Sequence, residues 1–134
     1  MNEVRDWRRF GAGGEPWFEF DAGRDLDGLL PEILTVPLLG HLQTYAGCAI
    51  RGGHGRWLLH ACNAYFYHDD MRASKRHCTT ARRACQLLME MDARSRLNNQ
   101  ERLRALPMAR RDELTVTCTH DPVELERLIA GSPL

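Results

Sequence analysis

Residues 45–61, with the sequence Y-A-G-C-A-I-R-G-G-H-G-R-W-L-L-H-A, decide the fold that we expect for this chain. Two apolar runs, residues 45–50 and 56–61, flank the segment R-G-G-H-G at residues 51–55. Glycine-rich segments between two apolar runs supply the backbone freedom that a tight turn needs. The pattern therefore predicts a β-hairpin.

Further strands are predicted on both sides of this hairpin. The stretch W-F-E-F at residues 17–20 is typical of a short strand, and residues 33–38 form an apolar β run closed by Gly40. Residues 21–31 contain aspartate and glycine, which favour turns, so we expect a connection there. Residues 114–118, L-T-V-T-C, predict a further strand near the end of the chain.

Residues 74–106 change to helical spacing of the apolar side chains, with Leu103 and Leu106 among them. The pair Asn98 and Asn99 interrupts this section, and we expect it to separate two helices. Arginines fill the opposite side of the section, where a solvated face is the simplest interpretation.

A last helix is predicted to begin at Asp121, which has the form of an N-cap. Pro122 would occupy the first helical position, and Glu124 stands three residues after the cap, as in a capping box. The helix should end near Gly131. The order of strands, long helical section, strand and helix predicts an α/β or α+β domain with helices against one face of a sheet.

Composition limits the classes of function. The 134 residues carry a formal net charge of +0, and Lys75 is the single lysine among 18 basic residues. This balance predicts no nucleic-acid partner and no anionic membrane partner. The five cysteines form no C-x-x-C motif, so a reducing cytoplasm is the expected setting. We divide the chain into an irregular lead-in, residues 1–16, and a single domain, residues 17–134.

Three polar residues follow predicted strands directly. His41 comes after the run at residues 33–38, Asn63 after the run at residues 56–61, and His120 after the run at residues 114–118. Residues that follow neighbouring strand ends can converge on one site, because loops at such an edge carry function more often than cores do.

The same three places resemble motifs of the metallo-β-lactamase superfamily. Residues 36–41, V-P-L-L-G-H, are similar to the segment ending in G-H-T-x-G-H, and residues 57–66, W-L-L-H-A-C-N-A-Y-F, to the strand ending in G-D-x-x-F. Residues 116–121, V-T-C-T-H-D, resemble the last strand with its metal-binding histidine. The resemblance runs from about residue 17 to residue 130, in the family's order and spacing.

The resemblance implies the C-terminal half of the family's αββα sandwich, with one mostly antiparallel or mixed sheet and helices on one face. It implies zinc or another divalent metal as cofactor, because family enzymes use a dinuclear centre to generate a hydroxide nucleophile. By position, His41 and His120 match ligand histidines, and Asn63 stands where the family has the aspartate that bridges the two metals.

The departures from the family argue against an intact metal centre. The H-x-H-x-D-H motif, which supplies most ligands, occurs nowhere in the chain, and the chain is expected to begin after it. Asn63 replaces a carboxylate, and Cys62 replaces the small glycine before it. The segment after His41, L-Q-T-Y at residues 42–45, lacks the family's threonine, glycine and second histidine. One histidine for each metal would not hold zinc usefully, because catalytic zinc needs three protein ligands. No catalytic residue is therefore assigned.

Three functions remain open. The first is a truncated hydrolase-like half-domain that is impaired or inactive by itself, with its bare sheet face covered by a second copy or by the missing N-terminal half. The second is an active metal-dependent hydrolase of lactones, esters or thioesters, whose site another chain completes. The third is a non-catalytic interaction module that uses the arginine-rich helical section from Arg72 to Arg104.

Other side chains at these positions have simpler interpretations. His60 is expected to be a hydrogen-bonded core histidine, and Cys62 a buried structural cysteine. His68 is expected in a surface loop that could edge a pocket. Tyr65 is expected in the core, and Asp121 is expected to cap a helix rather than to bind a metal.

Overall fold

The computed structural model describes residues 13–39, 45–71, 80, 84 and 92–131. Within these residues the strands are β1 (Glu15–Trp17), β2 (Phe20–Asp25), β3 (Ile33–Pro37), β4 (Ala46–Arg51), β5 (Trp57–His60) and β6 (Leu114–Thr117). A short 3-10 helix, His68–Met71, follows β5. Thr80 and Ala84 are helical, and the α-helices whose bounds the structure gives are α1 (Ala93–Ala109) and α2 (Pro122–Ile129).

The strands form one sheet in the order β1-β2-β3-β4-β5-β6. Neighbours from β1 to β5 are antiparallel, and β6 lies parallel to β5. The hairpin predicted from residues 45–61 is confirmed, since Ile50 pairs with Leu58 and Arg51 with Trp57. The sheet is therefore mixed, as the α+β interpretation required.

Side chains alternate between the two faces of the sheet, because successive residues of a strand point to opposite sides. One face carries Val36, Ala49 and Leu59, each 0% exposed. Leu103 and Leu106 of α1 belong to the same core cluster. Helix α1 thus covers this face, and the burial of its apolar side chains is a main source of stability.

The first hairpin differs from its prediction. Residues 17–20 were expected to form one strand, but β1 ends at Trp17 and β2 begins at Phe20, so the chain turns between them. Phe18 adopts a φ of 48°, in the left-handed region that a non-glycine residue rarely occupies. Its ring packs edge-on against Trp17, with centroids 4.8 Å apart. Residues 21–25, expected in a connection, belong to β2.

The prediction that Asn98 and Asn99 separate two helices is wrong. Helix α1 begins after the N-cap Asp92, whose side chain accepts hydrogen bonds from the backbone N–H groups of Arg94 and Ser95. It continues without a break to Ala109. The predicted helical residues 72–91 lie outside the described residues, apart from Thr80 and Ala84, which are helical.

Candidate functional site at the ends of three strands

Strands β3, β5 and β6 all end at the same edge of the sheet. Strand β4 is antiparallel to both β3 and β5, and β6 is parallel to β5, so β3, β5 and β6 share one direction. The Cα register aligns one row across four strands: Thr35, Cys48, His60 and Thr117. Asn63 and His120 follow β5 and β6 at this edge. His41 follows β3 but lies outside the described residues.

Asn63 is half-buried and is fixed through its backbone. Its N–H donates to the hydroxyl oxygen of Tyr45, with 2.6 Å between nitrogen and oxygen. The loop after β6 is bonded to the same segment, because the N–H of Thr119 donates to the carbonyl of Cys62 at 3.1 Å. Tyr45 was not predicted as a site residue, and its position in the L-Q-T-Y segment was the one available signal.

His120 is exposed at the end of β6. Its ring centroid lies 5.3 Å from that of Phe66, and the two planes are tilted by 48°. Phe66 belongs to the N-A-Y-F segment that follows β5, so this contact brings the loops after β5 and β6 together. The structure therefore keeps two of the three predicted positions on neighbouring loops.

Cys62 stands beside Asn63 with a φ of 52°, again in the left-handed region. Its sulfur lies 3.2 Å from Nδ1 of His60, and it also shares a hydrogen bond with the Tyr45 hydroxyl. Burial raises the pKa of the Cys62 thiol, so the neutral thiol is favoured over the thiolate that metals bind. Among the described residues, this side chain belongs to a polar hydrogen-bonded group with His60 and Tyr45.

Asp121 caps α2, as its sequence context predicted, and it also holds the loop after β5. One carboxylate oxygen accepts from the N–H of Val123 at 2.9 Å. The other accepts from the backbone N–H of His68 at 2.5 Å and from Nδ1 of His68 at 2.6 Å. Burial alone would raise the pKa of Asp121, but these donors hold it below its usual value. His68 is only 15% exposed, so it is more enclosed than a surface-loop histidine.

Glu124 does not complete a capping box, which corrects the sequence interpretation. Its carboxylate accepts from the N–H of Cys118 at 2.8 Å and from the hydroxyl of Tyr65 at 2.9 Å. Glu124 is 4% exposed and Tyr65 is 1% exposed. Burial raises the pKa of Glu124 above its usual range. Burial and the neighbouring Glu124 carboxylate raise that of the Tyr65 hydroxyl. This pair joins α2 to the loop after β5 and to the end of β6.

Two adjacent amides of α1 hold two of the loops at the candidate site. Asn99 donates to the carbonyl of Leu39, with 2.6 Å between Nδ2 and the oxygen. Gln100 donates to the carbonyl of Ala64 at 3.0 Å, and its own amide oxygen accepts from Arg96 at 3.2 Å. Leu39 follows β3, and Ala64 follows Asn63. Helix α1 therefore contacts the chain after both strands, β3 and β5.

The described residues do not fit a family-type metal centre. They contain no group of three or more His, Cys, Asp or Glu side chains that could hold a metal ion. Asn63 offers a neutral amide, which cannot balance the charge of two cations and is a poorer zinc ligand than Asp, Glu, Cys or His. In the described part of the chain, the ends of β3, β5 and β6 therefore do not bring together the set of donors that such a site needs.

Two arginines of α1 take part in side-chain contacts within the chain. Arg102 pairs with Asp21, with 2.8 Å between nitrogen and oxygen, and Arg96 donates to Gln100. Four other arginines of the predicted basic face lie outside the described residues: Arg72, Arg76, Arg82 and Arg83. In the described part of the chain, no helix combines the length and the apolar character needed to cross a membrane.

Comparison with known sequences gives two metallo-hydrolase relatives, although no family model matches the chain. A probable metallo-hydrolase of Mycobacterium bovis and one of Mycobacterium tuberculosis are each 32% identical to it over 112 residues. The match covers 84% of this chain but 36% of each relative. The chain thus spans about a third of the length of the curated relatives it matches.

Comparison with solved structures gives lactone hydrolases of the same fold. An N-acyl homoserine lactone hydrolase, with the product N-hexanoyl-L-homoserine bound at its catalytic metal centre, superimposes with a TM-score of 0.53. It is 11% identical, and the match covers 80% of this chain and 36% of that one. A quorum-quenching N-acyl homoserine lactone lactonase gives a TM-score of 0.50 at 12% identity, over 72% of this chain and 35% of that one.

Proposed function

We propose that the chain is a catalytically impaired hydrolase-like domain of the metallo-β-lactamase superfamily, which does not hydrolyse substrate by itself. The observation that carries this proposal is the environment of Asn63. A neutral amide stands at the bridging position, and its backbone is bonded to the Tyr45 hydroxyl. No described group of three or more candidate ligands surrounds it.

Hydrolysis assays with matched variants test this proposal. The chain would be incubated with zinc and a panel of lactones, aryl esters and thioesters, with and without a chelator. We expect no turnover above that of a His120→Ala variant. Turnover that the chelator abolishes, and that His120→Ala loses, would instead support the active metal-dependent hydrolase whose site another chain completes. The lactones are included because the structural neighbours are named as homoserine lactone hydrolases.

We also propose that a second apolar sheet covers the face of the sheet opposite α1. On this face, three apolar residues lie in one row across neighbouring strands, because Ile33 pairs with Ile50 and Ile50 pairs with Leu58. Ile50 is 43% exposed, and both other side chains are partly exposed. Contiguous apolar surface of this kind marks an interaction site. We propose a second copy of the chain as the partner, with the N-terminal half of the fold as the other candidate.

Light scattering of the chain and two variants tests the second copy. Leu97 on α1 is 39% exposed, so Leu97→Arg matches Ile50→Arg in exposure and in charge change. A dimer that Ile50→Arg dissociates and Leu97→Arg leaves intact supports self-association through this face. A monodisperse monomer at micromolar concentration contradicts it.

We also propose a cytoplasmic location, which the free thiols of Cys48, Cys62 and Cys118 support.

A further inference from the structure

We propose that Asn99 and Gln100 are positioning residues, which hold Leu39 after β3 and the loop after β5 that carries Asn63 at a fixed separation. The inference rests on the proposed hydrolase-like site, because Asn63 is one of its candidate residues. Neither amide was singled out for such a role by its sequence. Their burial, their partners and their adjacency on one helix support this role.

Both amides are buried inside the fold. Asn99 is 8% exposed and Gln100 is 4% exposed, although asparagine and glutamine are mostly surface residues. Burying an amide is unfavourable unless its polar atoms find partners. Each therefore fixes whatever it bonds to, because loss of the partner would leave a buried donor unsatisfied.

The partners are backbone carbonyls in loops, not groups of the helix. Asn99 bonds to Leu39, two residues before His41, and Gln100 bonds to Ala64, the residue after Asn63. Arg96 donates to the amide oxygen of Gln100, which directs its NH₂ group toward Ala64. Since the two amides are consecutive on a rigid helix, they hold the loop after β3 and the loop after β5 at a fixed separation.

The surroundings of Asn99 allow its loop to move when this bond is lost. A cavity of about 230 Å³ borders the contact, and its lining includes Leu39, Asn98 and Asn99. Loop atoms can shift into this space without displacing the packed core. A defect at Asn99 should therefore remain confined to the loop.

Hydrogen exchange of backbone amides tests the proposal in the full chain. Asn99→Asp keeps the shape of the side chain but removes its donor, and the exposed Asn98→Asp introduces the same charge one residue away. We expect Asn99→Asp to speed exchange at Leu38, whose N–H donates to the carbonyl of Tyr45, about three- to tenfold, which is the effect of losing one such hydrogen bond. Gln100→Met should do the same at residues 61–66. Exchange in β3, β4 and β5 should stay unchanged.

A second readout distinguishes positioning from general support of the fold. The backbone amide NMR signals of Leu38 and Leu39 should shift in Asn99→Asp, while that of His54 in the β4–β5 turn should not. The proposal is overturned if Asn99→Asp behaves as Asn98→Asp does, or if exchange rises throughout the sheet. Should Asn99→Asp fail to fold, Asn99→Ala gives the same comparison. Neither readout needs turnover, so a hydrolytically active chain would overturn the proposed impairment and leave this inference standing.

Discussion

On the helix side of the three strand ends, Asn99, Gln100 and Glu124 are buried and each bonds to a nearby loop or strand end. On the other side, Asn63 is half-buried, His120 is exposed, and the described residues form no set of metal ligands. The two sides meet at the loops that follow the strands. Under the proposed function, the difference means that buried hydrogen bonds hold the loops of a hydrolase-type site although the described residues form no set of metal ligands.

The largest effect is expected in the core on the helix side. Leu106 is 0% exposed, so Leu106→Ala should lower the free energy of unfolding by about 2–5 kcal/mol, through lost burial and the cavity left behind. Met108 lies two residues away and is 71% exposed. Met108→Ala should change stability by less than about 0.5 kcal/mol. Equal losses in urea unfolding of both variants would show that α1 does not pack as described.

A smaller loss is expected for Tyr65→Phe. The hydroxyl of Tyr65 donates to the buried carboxylate of Glu124, and hydrogen bonds to charged groups contribute about 1.5–3 kcal/mol. We expect Tyr65→Phe to lose an amount within this range. In the Glu124→Gln background the same change should cost less. A double-mutant cycle measures this coupling, and additive losses would argue against a direct bond.

The strand run of β3, the hairpin of β4 and β5, and the cap of α2 followed from the sequence, because local rules govern them. Apolar runs, a glycine-rich turn and an Asp-Pro start each act within a few residues. The turn at Phe18 was not predicted, because the turn contains no glycine, proline, asparagine or aspartate. Aromatic packing against Trp17 stabilises it instead.

The position of Asn99 inside α1 could not be predicted from local sequence rules either. Asparagine has low helix propensity, since its side chain competes for backbone hydrogen bonds. In the folded chain, that side chain instead bonds to Leu39, which is 60 residues away. At the candidate site, the shared edge of β5 and β6 followed from the strand pattern. The roles of Tyr45, Gln100 and Glu124 depend on contacts between distant segments, which periodicity does not report.

The pH dependence of stability should report on the buried carboxyl group of Glu124, on the helix side. Burial raises the pKa of Glu124 in the folded chain above its unfolded value, so folding favours its protonated form. Its stabilising contribution is therefore present at pH values below the unfolded pKa and is lost as pH rises through the folded pKa. We expect the unfolding free energy of the chain, relative to Glu124→Gln, to fall as pH rises over this interval. A difference that stays constant would contradict the raised pKa.

The smallest effect is expected on the site side. The Tyr45 hydroxyl bonds to the backbone N–H of Asn63, so Asn63→Asp keeps that contact. We expect the free energy of unfolding to change by less than about 0.5 kcal/mol, as for ordinary substitutions outside the core. Thermal unfolding measures this. A large loss would show that the Asn63 side chain supports the fold as the helix-side amides do.

The metal content of the purified chain tests the central claim most directly. It would be measured by inductively coupled plasma mass spectrometry after expression with and without added zinc, followed by dialysis. We expect metal well below one equivalent for each chain in both preparations. One or two equivalents retained by the chain and lost in His120→Ala would contradict it, and would show that the strand ends assemble a metal centre after all.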